Sequence, residues 1–298
     1  MIKILTTLIT MTPLLAQAHE FKLLSWNVFM IPKPINFSKQ VERTRLISQK
    51  LQDTDHDIIL FQEAFRAGFK QMIAREFKEK YPYQASLNRR LTAKTVLNSG
   101  LYIASKYPIE LLGHHYFTKS IHADQFSSKG VLLVELTLPN EKKVQIATTH
   151  VQAWDDKKAV EVRALQFKEI RDFLDSHKKT GVPQILGGDL NVDSLLDSEN
   201  MFKSYLKDRE YSGTLNILNM NSGPVVGDVG YTSGFKTICY KQPGKNEPLK
   251  LLDHILVDEN DSGIEITERK VVEFKDIMKT GIECPLSDHH GIEAIIRI

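Results

Sequence analysis

Cysteine is scarce in this chain: Cys239 and Cys284 are the only two in 298 residues. No Cys-His spacing suggests a structural zinc site. A charge excess is missing too, since 39 Lys and Arg face 37 Asp and Glu, for a formal net charge of +2. Proteins that hold nucleic acid usually carry a basic surface that neutralises several phosphates. The balance therefore disfavours DNA or RNA as the main partner, although a local patch can hide in a neutral total. No internal repeat is visible, and no stretch is polar or repetitive enough to suggest disorder. The apolar stretch near the start, Ile4 to Leu15, is too short to span a bilayer.

What is present is a soluble, globular composition, 42% hydrophobic and 26% charged, in a length that one large core can absorb. The first residues differ from the rest. Met1-Ile2-Lys3 is a short basic beginning, Ile4 to Leu15 follows, and Ala16-Gln17-Ala18 has the small-x-small pattern cut by signal peptidase. We expect residues 1–18 to be a signal peptide, residues 19–298 to be one catalytic domain, and the mature protein to be secreted or periplasmic. Loss of Lys3 and of no acid then lowers the charge from +2 to +1. Export permits a disulfide, yet two thiols cannot be paired from sequence, so Cys239 and Cys284 stay open between a bridge and two unpaired thiols.

Apolar runs at Phe21–Asn27, Asp57–Glu63, Gly100–Ala104, Gly130–Leu138, Lys143–His150, Gln184–Leu186, Leu249–Val257 and Gly291–Ile298 read as strands. Ser38 is the expected cap of a helix running to about Asp53, with Val41, Leu46 and Ile47 turned inward. A second helix lies between His150 and Gln184, with Val160, Ala164, Phe167, Ile170 and Leu174 as its buried stripe. A third is expected near Glu199–Lys207, followed by a loop rich in Gly, Pro and Asn from Asn219 to Pro248. Many strands with a few helices suggest two packed sheets with helices outside. Several of the apolar runs end in a polar residue: Asn27, Glu63, His150, Asp189 and Asp253. Such ends can converge on one rim.

Three pieces carry chemistry. In Gly187-Gly188-Asp189-Leu190-Asn191 a carboxylate and a carboxamide two residues apart point the same way at a strand end, suiting a site that orients a water and holds a phosphoryl oxygen. In Leu286-Ser287-Asp288-His289-His290 a metal-binding carboxylate sits beside a general base whose ordinary pKa suits neutral pH. Glu63 ends an apolar strand, where a carboxylate is costly unless paired or metal-bound. Each is weak alone: Gly-Asp-Leu-Asn is a common turn, and a His pair is as often a surface feature.

Together with Ser25-Trp26-Asn27, Gln62-Glu63, Thr149-His150 and Leu252-Asp253-His254-Ile255, they occur in the order and approximate spacing of the endonuclease/exonuclease/phosphatase superfamily, which the chain resembles from Phe21 to Ile298. The resemblance implies an α+β fold, a four-layer α/β/β/α sandwich of the DNase I-like type. Asn98 to Ile109, Phe126-Ser127-Ser128-Lys129-Gly130 with Asp124 five residues before Lys129, and Thr149-His150-Val151-Gln152-Ala153 are similar to its neutral sphingomyelinase branch. So is the helix segment from Val162-Arg163 through Gln166, Glu169-Ile170 and Phe173.

That branch implies Mg²⁺ on Glu63, Asn27 and Asp288, with Mn²⁺ or Co²⁺ as substitutes. It implies His289 as the base, oriented by Asp253, with Asp189 placing the water and His150 and Asn191 stabilising the phosphoryl oxygens. Lys129 and Asp124 are expected to shape the site, against the alternative of a solvated lysine. The implied substrate is sphingomyelin at a membrane surface, cleaved to ceramide and phosphocholine by a peripheral, monomeric enzyme with no transmembrane segment in its mature chain. A nuclease or other phosphoesterase with the same machinery is the alternative; a non-catalytic binding module would have no reason to keep every role filled. Phe29, Met30, Ile31 and Phe37, or Tyr231, Phe235 and Tyr240, are the candidates for membrane contact, with core burial as the equal alternative. The long aromatic hairpin of the secreted bacterial branch is not recognisable.

Overall fold

The structure, a computed structural model, describes residues 18–32, 39–87, 95–195, 201–235, 239, 248–261 and 263–298, with residues 201–207 by backbone only. In chain order the first half contains β1 (Glu20–Asn27), α1 (Gln40–Gln52), β2 (Ile58–Gln62), α2 (Ala67–Glu76), β3 (Tyr83–Ser86), β4 (Tyr102–Ser105) and β5 (Ile109–Tyr116). Then come β6 (Gly130–Thr137), β7 (Lys143–His150), α3 (Lys157–His177), β8 (Gln184–Asp189), α4 (Met201–Leu218), β9 (Met220–Asn221) and β10 (Val225–Val226). The chain closes with β11 (Asp253–Asp258), β12 (Glu265–Val272), β13 (Lys275–Ile277), β14 (Glu283–Pro285) and β15 (Gly291–Arg297).

Two sheets carry the architecture. One runs β10-β12-β15-β1-β2-β4-β3, the other β5-β6-β7-β8-β11-β9, and β13 and β14 form a separate hairpin. Strand alternation explains the layers. On β1, Leu23 joins the core between the sheets, while Leu24 and Trp26 face outward onto Leu46, Ile47 and Leu51 of α1 and Phe69 and Ile73 of α2. On the second sheet, Ile146, Ile185 and Ile255 face the first sheet, while Ala147, Leu186 and Leu256 face Phe167, Ile170 and Leu174 of α3. The result is the expected four-layer α/β/β/α sandwich. Gly187 lets the sheets approach closely, because a Cβ there would lie 2.5 Å from Leu60 Cδ1 of the opposing sheet.

Several local expectations are corrected. Val41 is 60% exposed, so the inward stripe of α1 is Arg43, Leu46, Ile47 and Leu51. The first half of the α3 stripe is Ala159, Val162, Arg163 and Gln166, with Val160 and Ala164 only half-buried; an arginine and a glutamine on the packed face hide the periodicity. Helix α4 runs to Leu218, well past Lys207. Strand β12 was not anticipated, its alternating Glu265, Thr267 and Arg269 diluting the apolar signal. Cys239 and Cys284 are joined in a disulfide. The leader, Phe37, Ser38, Glu199 and Tyr240 lie outside the described residues; Lys39 occupies the N-cap position of α1 without a side-chain cap.

Candidate active site

The site forms where the inward faces of both sheets reach one rim. Asn27 continues the inward series Leu23, Ser25 on β1; His150 continues Ile146, Thr148 on β7; Asp189 continues Ile185, Gly187 on β8. Strand β11 runs antiparallel to β8, so its first residue, Asp253, arrives at the same end. The ladders set His150, Asp189 and Asp253 side by side, His150 opposite Asp189 and Asp189 opposite Asp253. From the other sheet, Asn27 Nδ2 donates to Asp189 Oδ2 at 3.0 Å.

His289 comes from the loop before β15. Its Nδ1 is 2.7 Å from Asp253 Oδ2 and its Nε2 3.8 Å from Asp189 Oδ2. Burial would push the imidazole down, but the charges of Asp253 and Asp189, the Asp253 hydrogen bond and the charge of Asp288 raise it well above its ordinary value. Burial, opposed by His289, pushes the Asp253 carboxyl up to about 6. Asp189 and Asp253 with His289 are also a group whose ligand atoms lie within 4.8 Å of one another. The short His289–Asp253 bond occupies Nδ1, which suits an oriented imidazole better than a cation cage.

Glu63 stands just past the end of β2 with φ 54°. Its Oε1 accepts from Asn27 Nδ2 at 3.3 Å, while Oε2 is buried with no hydrogen-bond partner among the described residues. Burial, then the charge of Asp288, pushes its carboxyl up to about 8. Burial likewise raises the Asp288 carboxyl. An unpartnered carboxylate oxygen next to a second acid fits a hard divalent cation, which would relieve both the desolvation and the repulsion. Asn27, expected among the ligands, is already engaged: its amide bridges Glu63 and Asp189, and its Oδ1 accepts from Phe29 N at 3.1 Å.

The solvated-lysine alternative for Lys129 is overturned. Lys129 is 3% exposed, and its Nζ contacts Asp124 Oδ1 at 2.9 Å, Val151 O at 2.8 Å and His150 Nε2 at 3.1 Å. Asp124 also accepts from Ala153 N at 2.7 Å, so the pair staples the segments on either side of the site. An ammonium can only donate, which makes His150 Nε2 an acceptor. Burial, then Lys129, lowers His150 to about 4. Asn191 departs from the expected alternation: it lies past the strand at φ 49°, its N–H folds back on Asp189 Oδ1 at 3.0 Å, and its Nδ2 donates to Val151 O at 3.3 Å.

Two positioning residues escaped the sequence reading. Arg43, buried on α1, donates from Nε to Leu286 O at 2.9 Å and from Nη1 to Phe29 O at 2.9 Å, holding the loops after β1 and before Asp288 together. Its signal was a charge within the apolar stripe of Leu46 and Ile47. Thr232, fully buried, accepts through Oγ1 from Leu252 N at 3.1 Å and Asp253 N at 3.3 Å, and through its carbonyl from His290 N at 2.8 Å. A threonine in a Gly-rich loop gave no signal. Trp26 Nε1 donates to His289 O at 3.0 Å, fixing the backbone of the base. Of the membrane-contact candidates, Met30 is core, Phe29, Ile31 and Tyr231 are half-buried, and Phe235 stacks on His290 at 4.0 Å; Phe126 and Trp154 are exposed instead.

A DNase I-like sandwich with this rim defines a phosphoesterase-type fold, and the chain belongs to the Endonuclease/Exonuclease/phosphatase family, whose family model matches residues 24–289. Within it, the chain is 34% identical over 267 residues to the sphingomyelinase C of Leptospira interrogans, covering 80% of this chain and 44% of that protein. The chain spans 44% of that protein, 63% of the phospholipase C of Staphylococcus aureus and 40% of a second Leptospira sphingomyelinase C, so it covers about half the length of these curated relatives. Among solved structures it is similar to the beta toxin of Staphylococcus aureus, with TM-score 0.77 and 27% identity over 92% of this chain and 99% of that one. A mutant of that toxin with bound magnesium ions superposes with TM-score 0.72 and 26% identity, over 93% of this chain and 99% of the toxin.

Proposed function

We propose that this chain is an exported sphingomyelin phosphodiesterase, cleaving sphingomyelin to ceramide and phosphocholine with Mg²⁺ held by Glu63 and Asp288, and by Asn27 through the remaining capacity of its oxygen. The observation that carries the chemistry is the His289 ring, held through Nδ1 by Asp253 with Nε2 turned toward Asp189. The substrate is suggested by the likeness to the Leptospira sphingomyelinase C, and the metal by the magnesium in the mutant toxin. Manganese or cobalt is expected to substitute.

When bound, the ion supplies positive charge to the phosphoryl group and to the departing alkoxide. The chain's own residues do the rest. Asp189 places a water beside His289 Nε2, and the imidazole, in the deprotonated form that a cation held by Glu63 and Asp288 would favour by opposing the acids that raise it, takes the water's proton as the oxygen attacks phosphorus in line. The bond from phosphorus to the ceramide oxygen breaks, and that oxygen takes up a proton from water. Asn191, with the positive Lys129 behind a neutral His150, stabilises the phosphoryl oxygens, while Asp124 keeps Lys129 in place. Cleavage of a leader after Ala18 would release residues 19–298 as the working domain, secreted or periplasmic, and the Cys239–Cys284 bridge suits such an oxidising compartment. The enzyme works as a peripheral monomer, with Phe126 and Trp154 beside the Asp124–Lys129 staple available to a lipid surface.

The deciding experiment compares phosphocholine release from sphingomyelin vesicles with nicking of plasmid DNA in matched Mg²⁺. Faster release of phosphocholine is expected; faster DNA cleavage would move the chain to the nucleases of this family.

A further inference from the structure

A cavity of about 590 Å³ opens where the β9 edge of the second sheet and α4 meet β10 and β12 of the first, lined by Tyr211 of α4, Asn221 and Ser222 at β9, Ser194, Leu251 and Arg269 of β12. It stands apart from the acid–base centre. Asp253 and His254 are consecutive on β11 and alternate in direction: Asp253 meets His289, while the His254 ring packs on Tyr211 at 4.9 Å.

Arg269 is the unusual wall of this cavity. It is only 4% exposed, and its Nε and Nη1, closed off from the cavity itself, have no hydrogen-bond partner among the described residues. Among the described residues, the Tyr211 phenol is the group that offsets the burial of this cation, and no carboxylate does so. A guanidinium in such a place is expensive, because its lost hydration is returned by neither an opposite charge nor a full set of acceptors. The other buried arginines are treated differently: Arg163 pairs with Glu210 at 2.6 Å and Arg43 donates to three backbone carbonyls.

We propose that this cavity is a binding site for a small phosphate-bearing ligand, with Arg269 as its cation and, as its neutral donors, the Ser194 hydroxyl, the Asn221 amide and the one hydroxyl hydrogen left free by the 2.5 Å hydrogen bond between Tyr211 and Ser222. Guanidinium is the side chain best matched to phosphate oxygens, and hydroxyl and amide donors complete their coordination. The volume exceeds that of phosphate itself, and Leu251 offers an apolar wall for an organic remainder. The phosphate belongs either to a soluble monoester or to a lipid headgroup. The site stands whether or not the reaction proposed above is correct, since it shares no residue with it.

The test is thermal unfolding of the full chain in excess chelator, titrated with inorganic phosphate, for wild type, Arg269→Met and Ser222→Ala. Wild type should gain about 3–6 °C saturably, as mass action requires. Arg269→Met should gain nothing and, without phosphate, should melt above wild type, having lost an uncompensated buried charge. Ser222→Ala should need about fivefold more phosphate, and it keeps the idea testable if Arg269→Met does not fold. Sedimentation with phosphatidylcholine vesicles, with and without phosphatidic acid, separates the sources: binding that depends on both Arg269 and phosphatidic acid assigns the site to a headgroup. Equal shifts in all three proteins, or no response to phosphate or to phosphatidic acid, would overturn the proposal.

Discussion

Asp189 and Asp253 face each other across the β8–β11 ladder, yet His289 distinguishes them, binding Asp253 at 2.7 Å through Nδ1 and approaching Asp189 at 3.8 Å through Nε2. One acid orients the ring and the other faces its reactive nitrogen. His289→Ala should therefore stay folded and lose roughly 10²–10⁴-fold in kcat, and Asp253→Asn should lose a similar amount by releasing the ring. Steady-state rates with circular dichroism as the folding control check this; a folded His289→Ala with near-normal kcat removes the base from the mechanism.

Glu63 carries an unpartnered buried oxygen and a carboxyl pushed up to about 8, mainly by burial and then by Asp288. Glu63→Gln removes the desolvated charge along with the ligand. Calorimetry should show Mg²⁺ affinity falling by an order of magnitude or more, roughly, while the metal-free protein becomes no less stable. Unchanged Mg²⁺ affinity would remove Glu63 from the metal site.

Arg43 ties Phe29 O and Leu286 O from beneath the site. Arg43→Met leaves buried carbonyls unsatisfied and should cost about 2–4 kcal/mol in urea unfolding. Because it loosens the loop carrying Asp288 and His289, kcat should fall as well while the pH profile keeps its shape. A stability loss with normal kcat would make Arg43 purely structural.

Burial, aided by Arg269, lowers His254 to about 4, and burial lowers His290 to about 4 as well. Both are neutral in the folded protein and bind protons more tightly once unfolded. Their contribution is complete above pH ~6.5 and fades as pH falls toward ~4, amounting to about 2 kcal/mol each by pH 5. His150 is lowered in the same way while Glu63, Asp253 and His289 are raised and act in the opposite sense, so the His254 contribution is read by difference: between pH 7 and pH 5, urea unfolding of His254→Phe should lose about 2 kcal/mol less than wild type. An equal drop in His254→Phe would place the acid sensitivity elsewhere.

Phe126 and Trp154 are 47% and 56% exposed on the segments held by Asp124 and Lys129. Changing both to Ser should lower the rate on sphingomyelin vesicles at least about tenfold and leave hydrolysis of a soluble phosphodiester nearly unchanged, because they would act through adsorption. Equal losses on both substrates would place these residues in the catalytic site.

Much of this was legible along the chain because strands announce themselves locally. An apolar run ending in Asn27, His150, Asp189 or Asp253 states both the strand and the polar group at its end, and alternation then predicts which face that group takes. Where polar residues occupy packed faces, the local signal failed. Arg163 and Gln166 disguised the stripe of α3, Arg269 hid β12, and Asn191 turned out to lie beyond the reach of strand alternation.

The sequence by itself determined the family-level architecture and the types of group at the rim, since both follow from short-range patterns and from motif order. Only the tertiary structure decided that Lys129 is a buried staple, that Cys239 and Cys284 pair, that Arg43 and Thr232 position the site, and that Arg269 has no counter-charge among the described residues. Those facts depend on which groups meet across long stretches of chain. The environment that sets a side chain's charge and partners is assembled by packing, and no local window of sequence contains it.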